Sequence, residues 1–262
     1  MIQSLTPCIK ALILDMDGVL WRSEVPIGNL AEIFGRIEKM GLKVLFATNN
    51  AGRTVDFFRD KIRGFGVQVE SQQIVNSSMA VAYELKQKYP QGGPVYIVGE
   101  VGLVKPLEEM GFYYAEKDVL AVVAGMDHTI NYHKLSIAGL LIRSGVPFYG
   151  TNPDPTYPSP EGLLPGAGTI ITAIAVAGGV DPIIAGKPYP GMMRMAMARL
   201  GTHPQETLVI GDRLDTDILW GQRSGCRTGV VLSGVSTPEE VEAWSPRPDL
   251  IAPDLTHLVG LP

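Results

Sequence analysis

The sequence has few cysteines, no excess of positive charge and no long apolar run, and each shortage excludes a class of protein. Its 262 residues include only two cysteines, Cys8 and Cys226, which are far apart and form no CxxC pattern. A disulfide scaffold is therefore excluded, and two reduced thiols are expected. The formal net charge of −5 argues against a nucleic-acid partner, so any phosphate site must be built locally from a few donors.

Segments that could enter or cross a membrane are also missing. The longest apolar runs fall short of the roughly 20 residues that span a bilayer, and Lys10 interrupts the N-terminal apolar residues, unlike in a signal peptide. We therefore expect a cytoplasmic protein with no membrane partner. Hydrophobic residues make up 45% and charged residues 19%, which is ordinary for a globular chain of one large or two modest domains.

Short apolar runs alternate with helix-period segments along the chain. A strand over 9–14 precedes a helix over 30–40, and a strand over 43–47 precedes a helix over 54–65. This alternation predicts an α/β fold with a parallel sheet. Further predicted strands cover 95–98, 120–124, 147–150, 183–185, 208–210 and 228–232, and further helices cover 79–88, 132–144, 169–177, 190–200 and 218–224. The Pro- and Gly-rich stretch 151–168 is predicted to be an ordered loop.

Acidic residues follow two of the predicted strands. Asp15 and Asp17, in the segment DMDG, come directly after the first strand, and Asp212 and Asp217, in GDRLDTD, follow strand 208–210. Ligands of open α/β sheets bind beyond the carboxyl ends of the strands. Carboxylates so close together repel one another, and hard cations such as Mg²⁺ prefer carboxylate oxygens. These segments therefore predict a cation site.

Polar and basic residues follow two other strands. Thr48, Asn49 and Asn50 end strand 43–47 and offer a hydroxyl, amides and backbone N–H groups to phosphate oxygens. Lys187 follows strand 183–185 between a glycine and a proline, which restrict its backbone. Its ammonium could neutralise a phosphate and an attacking carboxylate. Chance placement of all four segments at strand ends, in this order, is improbable.

These four segments, DxDG, TNN, GKP and GDxxxTD, resemble in order the four motifs of the haloacid dehalogenase superfamily of phosphohydrolases. The stretches TNNAGR, GTNPDPTYP, AGKPYP and LSGVS are similar to those of its NagD / 4-nitrophenylphosphatase subfamily, which includes phosphoglycolate and pyridoxal-phosphate phosphatases. The resemblance extends over essentially the whole chain. It implies a three-layer Rossmann-like core and a Mg²⁺-dependent phosphatase of small phosphorylated metabolites.

The resemblance also implies roles for individual residues. Asp15 would be the nucleophile that forms an aspartyl-phosphate, and Asp17 the general acid and base. The Asp15 carboxylate, the Asp17 backbone carbonyl and Asp212 would hold Mg²⁺. The phosphate-binding groups would be Thr48, Asn49, Asn50 and Lys187. Asp217 would support the site as the last acid of the motif.

In this subfamily an α/β cap, type C2, is inserted in the core. We place the core at 1–78 and 181–262 and the cap at 79–180. Within the cap, Asn152 and Tyr157 lie in a loop that we expect to contact the leaving group. Tyr157 stands where relatives resembling pyridoxal-phosphate phosphatases have a substrate-contacting histidine, which argues against that substrate. The resemblance further suggests a homodimer through the cap.

Other functions are compatible with parts of the pattern. A dehalogenase needs neither Asp17 nor Asp212, and a dinucleotide-binding module needs a complete GxGxxG, which Gly166-Ala167-Gly168 lacks. A non-catalytic phosphometabolite-binding protein would be expected to lack Asp15, Asp17 or Lys187. A phosphotransferase of the same fold stays open, because the motifs do not encode the phosphoryl acceptor.

Overall fold

The computed structural model describes residues 1–159 and 162–261. Strands and helices alternate along them, and the sheets are built mainly from parallel pairs, so the predicted α/β class is confirmed. Within this part of the chain, no helix is both long enough and apolar enough to cross a membrane.

The strands are, in chain order, β1 (Ala11–Leu14), β2 (Trp21–Arg22), β3 (Val25–Pro26), β4 (Lys43–Thr48), β5 (Ile74–Asn76), β6 (Gly93–Val98), β7 (Phe112–Tyr114), β8 (Val122–Ala124), β9 (Phe148–Gly150), β10 (Thr156–Ser159), β11 (Gly162–Pro165), β12 (Ile183–Ile184), β13 (Thr207–Gly211), β14 (Arg227–Val231) and β15 (Leu250–Ala252). The helices are α1 (Leu30–Lys39), α2 (Val55–Gly64), α3 (Ser77–Lys88), α4 (Val101–Glu109), α5 (Tyr132–Arg143), α6 (Ala167–Gly178), α7 (Pro190–Leu200), α8 (Leu219–Arg223), α9 (Pro238–Ala243) and α10 (Leu255–Leu258). A π-helical turn, Leu214–Ile218, precedes α8.

Residue contacts divide the chain into two compact units. The first contains residues 1–48, 56–75 and the segment from Met193 onward, and the second contains 49–55 and 76–192. The longer segment of the second unit, 76–192, thus contains the expected cap at 79–180 and extends beyond both of its ends.

The first unit is built on a six-stranded sheet with the order β15-β14-β13-β1-β4-β5. The pairings that link β15, β14, β13, β1 and β4 are all parallel. Strand β1 is buried along its whole length, as expected of a parallel strand covered on both faces. Strand β4, which comes earlier in the chain, lies on one side of β1, and β13, which comes later, lies on the other side. The order of connections therefore reverses between β1 and β13.

The second unit contains a five-stranded sheet with the order β12-β9-β8-β6-β7, in which every pairing is parallel. Side chains of β6, β8 and β9 pack with α5 and α6 in one apolar core. The two helices approach closely, because Gly139 of α5 has no side chain and lies against Ala177 of α6. Here the order of connections reverses between β6 and β8.

Two predictions of local structure need correction. The short strand at 183–184, which we had assigned to the core, pairs with β9 in the sheet of the second unit. Two apolar residues carry no periodicity that could indicate which sheet they join. The stretch 151–168 is not only a loop, because β10 and β11 form an antiparallel hairpin in it, although residues 160–161 lie outside the described residues. Its prolines suggested a loop, yet proline is tolerated in edge strands.

Candidate active site

The two predicted acidic segments meet at the point where the first sheet reverses its order. Asp15 directly follows β1, and Asp212 directly follows β13, the neighbouring parallel strand. The backbone N–H of Asp15 still donates to the carbonyl of Ile210 at 2.9 Å, which continues the ladder to the first residue beyond β1. This is the position at which ligands bind in open α/β sheets.

Three carboxylates form a cluster there. Asp15, Asp212 and Asp217 each offer one oxygen, and these oxygens lie within 4.8 Å of one another. Asp212 and Asp217 are buried, with 3% and 1% of their surface exposed. Such charges repel strongly away from water, and their hard oxygen ligands suit a divalent cation. The cluster can therefore hold a metal ion.

Backbone donors fix the two buried carboxylates. Asp212 Oδ2 accepts the backbone N–H of Val235 at 2.8 Å, and Asp217 Oδ2 accepts that of Arg213 at 3.2 Å. Asp217 lies in the π-helical turn, a rare conformation that is frequent at functional sites. We had given Asp217 only a supporting role, whereas the structure places its oxygen in the cluster beside those of Asp15 and Asp212.

Glycines make room for this cluster. A Cβ atom at Gly18 or Gly234 would overlap the side chain of Asp212, and one at Gly211 would overlap Asp217. Gly18 also has a φ of +81°, which side chains of L residues rarely adopt. The glycines of DMDG and of LSGVS are therefore needed for the close approach of backbone and carboxylates.

Asp17 is exposed, and its carboxylate is held by a buried tryptophan. The indole N–H of Trp21 donates to Asp17 Oδ1 at 2.8 Å, and Trp21 itself is only 1% exposed. The intervening turn is closed by the Gly18 N–H, which donates to the Trp21 carbonyl at 2.8 Å. Because a buried indole N–H needs an acceptor, Asp17 Oδ1 is held in one place.

In the second unit, Asn49 ties together the segments expected to bind phosphate. Its Nδ2 donates to the Lys187 carbonyl at 3.0 Å and to Asp154 Oδ2 at 2.9 Å, while its Oδ1 accepts the Lys187 N–H at 2.8 Å. The carboxamide is thus committed within the unit, so a phosphate contact by Asn49 would use its backbone N–H. Lys187 is 2% exposed, and a buried ammonium requires negative charge nearby.

The remaining TNN residues differ in their surroundings. Thr48 ends β4 in the first unit and is buried, with 3% of its surface exposed. Asn50 is exposed, and its Oδ1 accepts the backbone N–H of Gly52 at 3.1 Å. This side-chain bond stabilises a turn in the strand-to-helix loop, so the local geometry gives Asn50 a clear structural role.

The similarities to known proteins agree with these sites. A haloacid dehalogenase-like hydrolase family model matches residues 12–113, and a HAD-hydrolase-like model matches residues 184–258. The 5′-nucleotidase YutF of Bacillus subtilis is 34% identical over 250 residues, which are 95% of this chain and 97% of that protein. An acid sugar phosphatase of Staphylococcus aureus is 34% identical over 252 residues, 96% of this chain and 97% of that protein.

The chain belongs to the haloacid dehalogenase-like hydrolase family. The solved structure of NagD from E. coli K-12 superposes with a TM-score of 0.88 at 32% identity, covering 94% of this chain and 97% of that one. The resemblance inferred from the four motifs is thereby confirmed. The protein is a phosphoric monoester hydrolase of this family.

In this hydrolase the expected leaving-group loop is only partly available to a ligand. Asn152 is 6% exposed, and its carboxamide accepts the Thr151 hydroxyl at 2.8 Å and donates to Asp154 Oδ2 at 2.7 Å. It therefore organises the loop, and its contact with the leaving group stays a prediction. Tyr157 is partly exposed, and its hydroxyl lies 3.2 Å from Nε2 of His128.

The sequence did not indicate that His128 contacts Tyr157 or that Glu100 contacts His128. Nδ1 of His128 lies 2.7 Å from Glu100 Oε1. The residue before it, Asp127, is buried and bonded to Lys134 and Thr129. Burial raises the pKa of this carboxyl, but the bonds to Lys134 and Thr129 outweigh burial and lower its pKa below the ordinary value. The sequence signal that could have indicated Glu100 and His128 is that each follows a predicted strand.

Proposed function

We propose that the protein hydrolyses small phosphate monoesters by covalent catalysis, with Asp15 as the nucleophile. The observation that supports this most is the carboxylate cluster of Asp15, Asp212 and Asp217 at the reversal point of the first sheet. A carboxylate at the end of a strand can form a covalent intermediate, which divides one difficult displacement into two easier ones.

In the first step an oxygen of Asp15 attacks phosphorus and the bond to the ester oxygen breaks. Asp17 gives its proton to the departing alkoxide. In the second step water attacks the phosphorus of the aspartyl-phosphate, Asp17 takes the proton from that water, and phosphate leaves. Asp15 is restored as a carboxylate. The bond from Trp21 to Oδ1 of Asp17 would help to orient this carboxyl group for the proton transfers.

We propose Mg²⁺ as the metal, held by the carboxylates of Asp15 and Asp212 and by the Asp17 backbone carbonyl, with Asp217 in support. When bound, the ion supplies positive charge that offsets repulsion between the nucleophile and a phosphate dianion. Thr48, Asn49, Asn50 and Lys187 are the proposed phosphate-binding groups. Lys187 would contribute charge, and Asn49 would hold the Lys187 backbone in position.

We assign leaving-group selection to the second unit, which includes the whole of the expected cap at 79–180. Because all substrates share the phosphoryl group, only residues that touch the variable part can rank them. A homodimer through the cap, a cytoplasmic location and the absence of nucleic-acid and membrane partners stay predictions.

Asp15→Asn tests the nucleophile. Removing the attacking oxygen's charge should lower kcat by at least about 10³-fold, which corresponds to about 4 kcal/mol of activation free energy. Circular dichroism should show an intact fold. The matched control is Asp118→Asn, an exposed residue with a φ of 53° that asparagine tolerates; it should retain full activity. Near-normal turnover by folded Asp15→Asn protein would contradict the mechanism.

A further inference from the structure

The small hairpin of β2 and β3, which follows the DMDG segment, depends on other elements for its position. Each of its strands has two paired residues, and residues 22–26 are exposed. Ser23 at its tip has a φ of 54°, a left-handed conformation that is unfavourable for a residue with a side chain. Because an isolated two-stranded hairpin is marginally stable in water, contacts with the rest of the first unit must fix this one.

Lys61 of α2 makes such contacts. Its Nζ donates to the Ser23 carbonyl at 2.6 Å and to Glu24 Oε1 at 3.2 Å, and it lies 4.7 Å from the centroid of the Trp21 ring. The side chain of Lys61 is 13% exposed, whereas that of Glu24 is 84% exposed. An ion pair with so exposed a carboxylate adds little. The bond to the carbonyl and the contact with the ring are therefore the stronger contacts.

The Trp21 side chain connects this ammonium to Asp17. The ring of Phe65, which follows α2, lies 5.9 Å from the Trp21 ring, and Trp21 is buried. The indole N–H donates to Asp17 Oδ1 at 2.8 Å. One aromatic side chain thus contacts the Lys61 ammonium through its ring and the Asp17 carboxylate through its N–H. All four residues belong to the first unit.

A cation beside an indole ring affects the hydrogen bond that the indole N–H makes. The ammonium is attracted by the negative face of the ring and draws electron density away from the N–H, which makes the N–H a stronger donor. Such linked interactions strengthen one another where little water is present. Loss of Lys61 would therefore weaken the bond to Asp17 twice, because the N–H would be less polarised and the hairpin less firmly held.

We propose that Lys61 is a positioning residue for Asp17, acting through the Trp21 ring and the tip of the hairpin. This inference rests on the proposed function, because it needs Asp17 to protonate the leaving group. The role requires no contact between Lys61 and the substrate. Its loss should therefore matter most for leaving groups that need a proton.

Two aryl esters that differ in this need test the role. Phenolate is a poorer leaving group than 4-nitrophenolate, so phenyl phosphate depends more on protonation by Asp17. Lys61→Met keeps an unbranched side chain but removes the charge. It should lower kcat/KM for phenyl phosphate by roughly fivefold and that for 4-nitrophenyl phosphate much less. Lys61→Gln, which keeps a donor without the charge, gives the same comparison if Lys61→Met does not fold.

A conservative variant and a matched control complete this experiment. Lys61→Arg keeps a cation that can donate and stack on an aromatic ring, so it should restore the wild-type ratio of the two kcat/KM values. Lys43 also donates to a backbone carbonyl of the first unit, that of Leu200 at 2.8 Å, but it lies at the start of β4. Lys43→Met should keep the wild-type ratio. Equal losses for both esters in Lys61→Met, or no loss, would overturn the inference.

A double variant tests the route through the indole. Trp21→Phe keeps a ring beside Lys61 but has no N–H for Asp17. If Lys61 acts through that N–H, adding Lys61→Met to Trp21→Phe should change the ratio of the two kcat/KM values no further. An equal effect of Lys61→Met with and without the indole would show that Lys61 acts by another route and would contradict the proposal.

An NMR measurement separates failure of this inference from failure of the proposed function. The chain has three tryptophans, and Trp21→Phe identifies the indole N–H signal of Trp21 by its disappearance. In Lys61→Met this signal should move upfield and its proton should exchange faster with water, whereas Lys61→Arg should keep the wild-type signal. An unchanged signal in Lys61→Met would contradict the inference. Absence of hydrolysis of either ester by the wild-type protein would instead contradict the proposed function.

Discussion

At the scale of single residues, the hydrogen bond between Trp21 and Asp17 leads to a prediction about Trp21. The indole N–H donates to Oδ1, so Trp21→Phe should keep an aromatic ring but remove one bond that orients the carboxylate. A hydrogen bond of this kind is worth about 1 kcal/mol, or roughly fivefold in rate. The loss should appear in kcat/KM for an alkyl phosphate, whose leaving group needs a proton.

With 4-nitrophenyl phosphate the loss should be smaller, because nitrophenolate leaves without protonation. Trp244→Phe is the matched control, since the indole N–H of Trp244 donates to Gln222 Oε1 at 3.2 Å. It should leave both substrates unchanged. If Trp21→Phe slowed both esters equally, the tryptophan would be a packing residue and not a positioning residue for Asp17.

The candidate site could be predicted residue by residue only where chain spacing determines position. Asp15 and Asp212 directly follow parallel strands, so their meeting could be inferred from the sequence. The place of Asp217 in the cluster depends on a π-helical turn, which the sequence pattern did not indicate. The bond between Trp21 and Asp17, and the need for glycine at 234, come from tertiary approach of the backbone and have no local signal.

At the scale of elements, α1 contains a glycine that weakens it without an evident steric reason. Gly35 lies in the middle of the helix, and a Cβ there would meet nothing within 4 Å. Gly35→Ala should therefore raise the free energy of unfolding by about 0.5–1 kcal/mol, because alanine restricts the unfolded chain and favours helix. Urea unfolding of the two proteins measures the change.

Gly41, just after α1, provides a control in which the same substitution should lower the free energy of unfolding. A Cβ at Gly41 also meets nothing within 4 Å, but its φ is +69°. Gly41→Ala should destabilise the protein by about 1 kcal/mol, because a left-handed conformation is strained for alanine. Equal effects of the two substitutions would show that backbone conformation does not determine the change in the free energy of unfolding.

Element boundaries could be predicted where local chemistry sets them. Helix α1 begins at Leu30, as expected, with Asn29 accepting the Glu32 N–H, and it ends before Gly41. Strand β12 and the β10–β11 hairpin could not be placed in the same way. Their partners are chosen by tertiary packing, which a pair of isoleucines or a run rich in proline does not specify.

At the scale of the whole molecule, both parallel sheets carry polar side chains beside the reversal of their strand order. In the first unit these are Asp15 and Asp212, beyond β1 and β13, and in the second they are Glu100 and His128, beyond β6 and β8. The same rule of α/β architecture thus applies to the position of the polar residues in both units. Chemistry and specificity are assigned to separate sheets.

The buried carboxylate cluster links metal binding to the stability of the protein. Without a cation, Asp15, Asp212 and Asp217 repel one another within 4.8 Å, which costs stability. A metal that binds only the folded state at 100 times its dissociation constant adds about 2.7 kcal/mol to the free energy of unfolding. We therefore expect Mg²⁺ to raise the Tm of the wild-type protein by several degrees, measured calorimetrically against EDTA.

Asp212→Asn should weaken the stabilisation by Mg²⁺ and reduce the repulsion in the metal-free protein. Asparagine retains an oxygen that can accept the Val235 N–H, but it removes one charge from the cluster. In EDTA the variant should therefore unfold at a temperature equal to or above that of the wild-type protein, whereas Mg²⁺ should raise its Tm much less. Asp118→Asn, far from the cluster in sequence and exposed, should behave like the wild-type protein. A Mg²⁺ shift as large in Asp212→Asn as in the wild-type protein would show that the ion binds elsewhere.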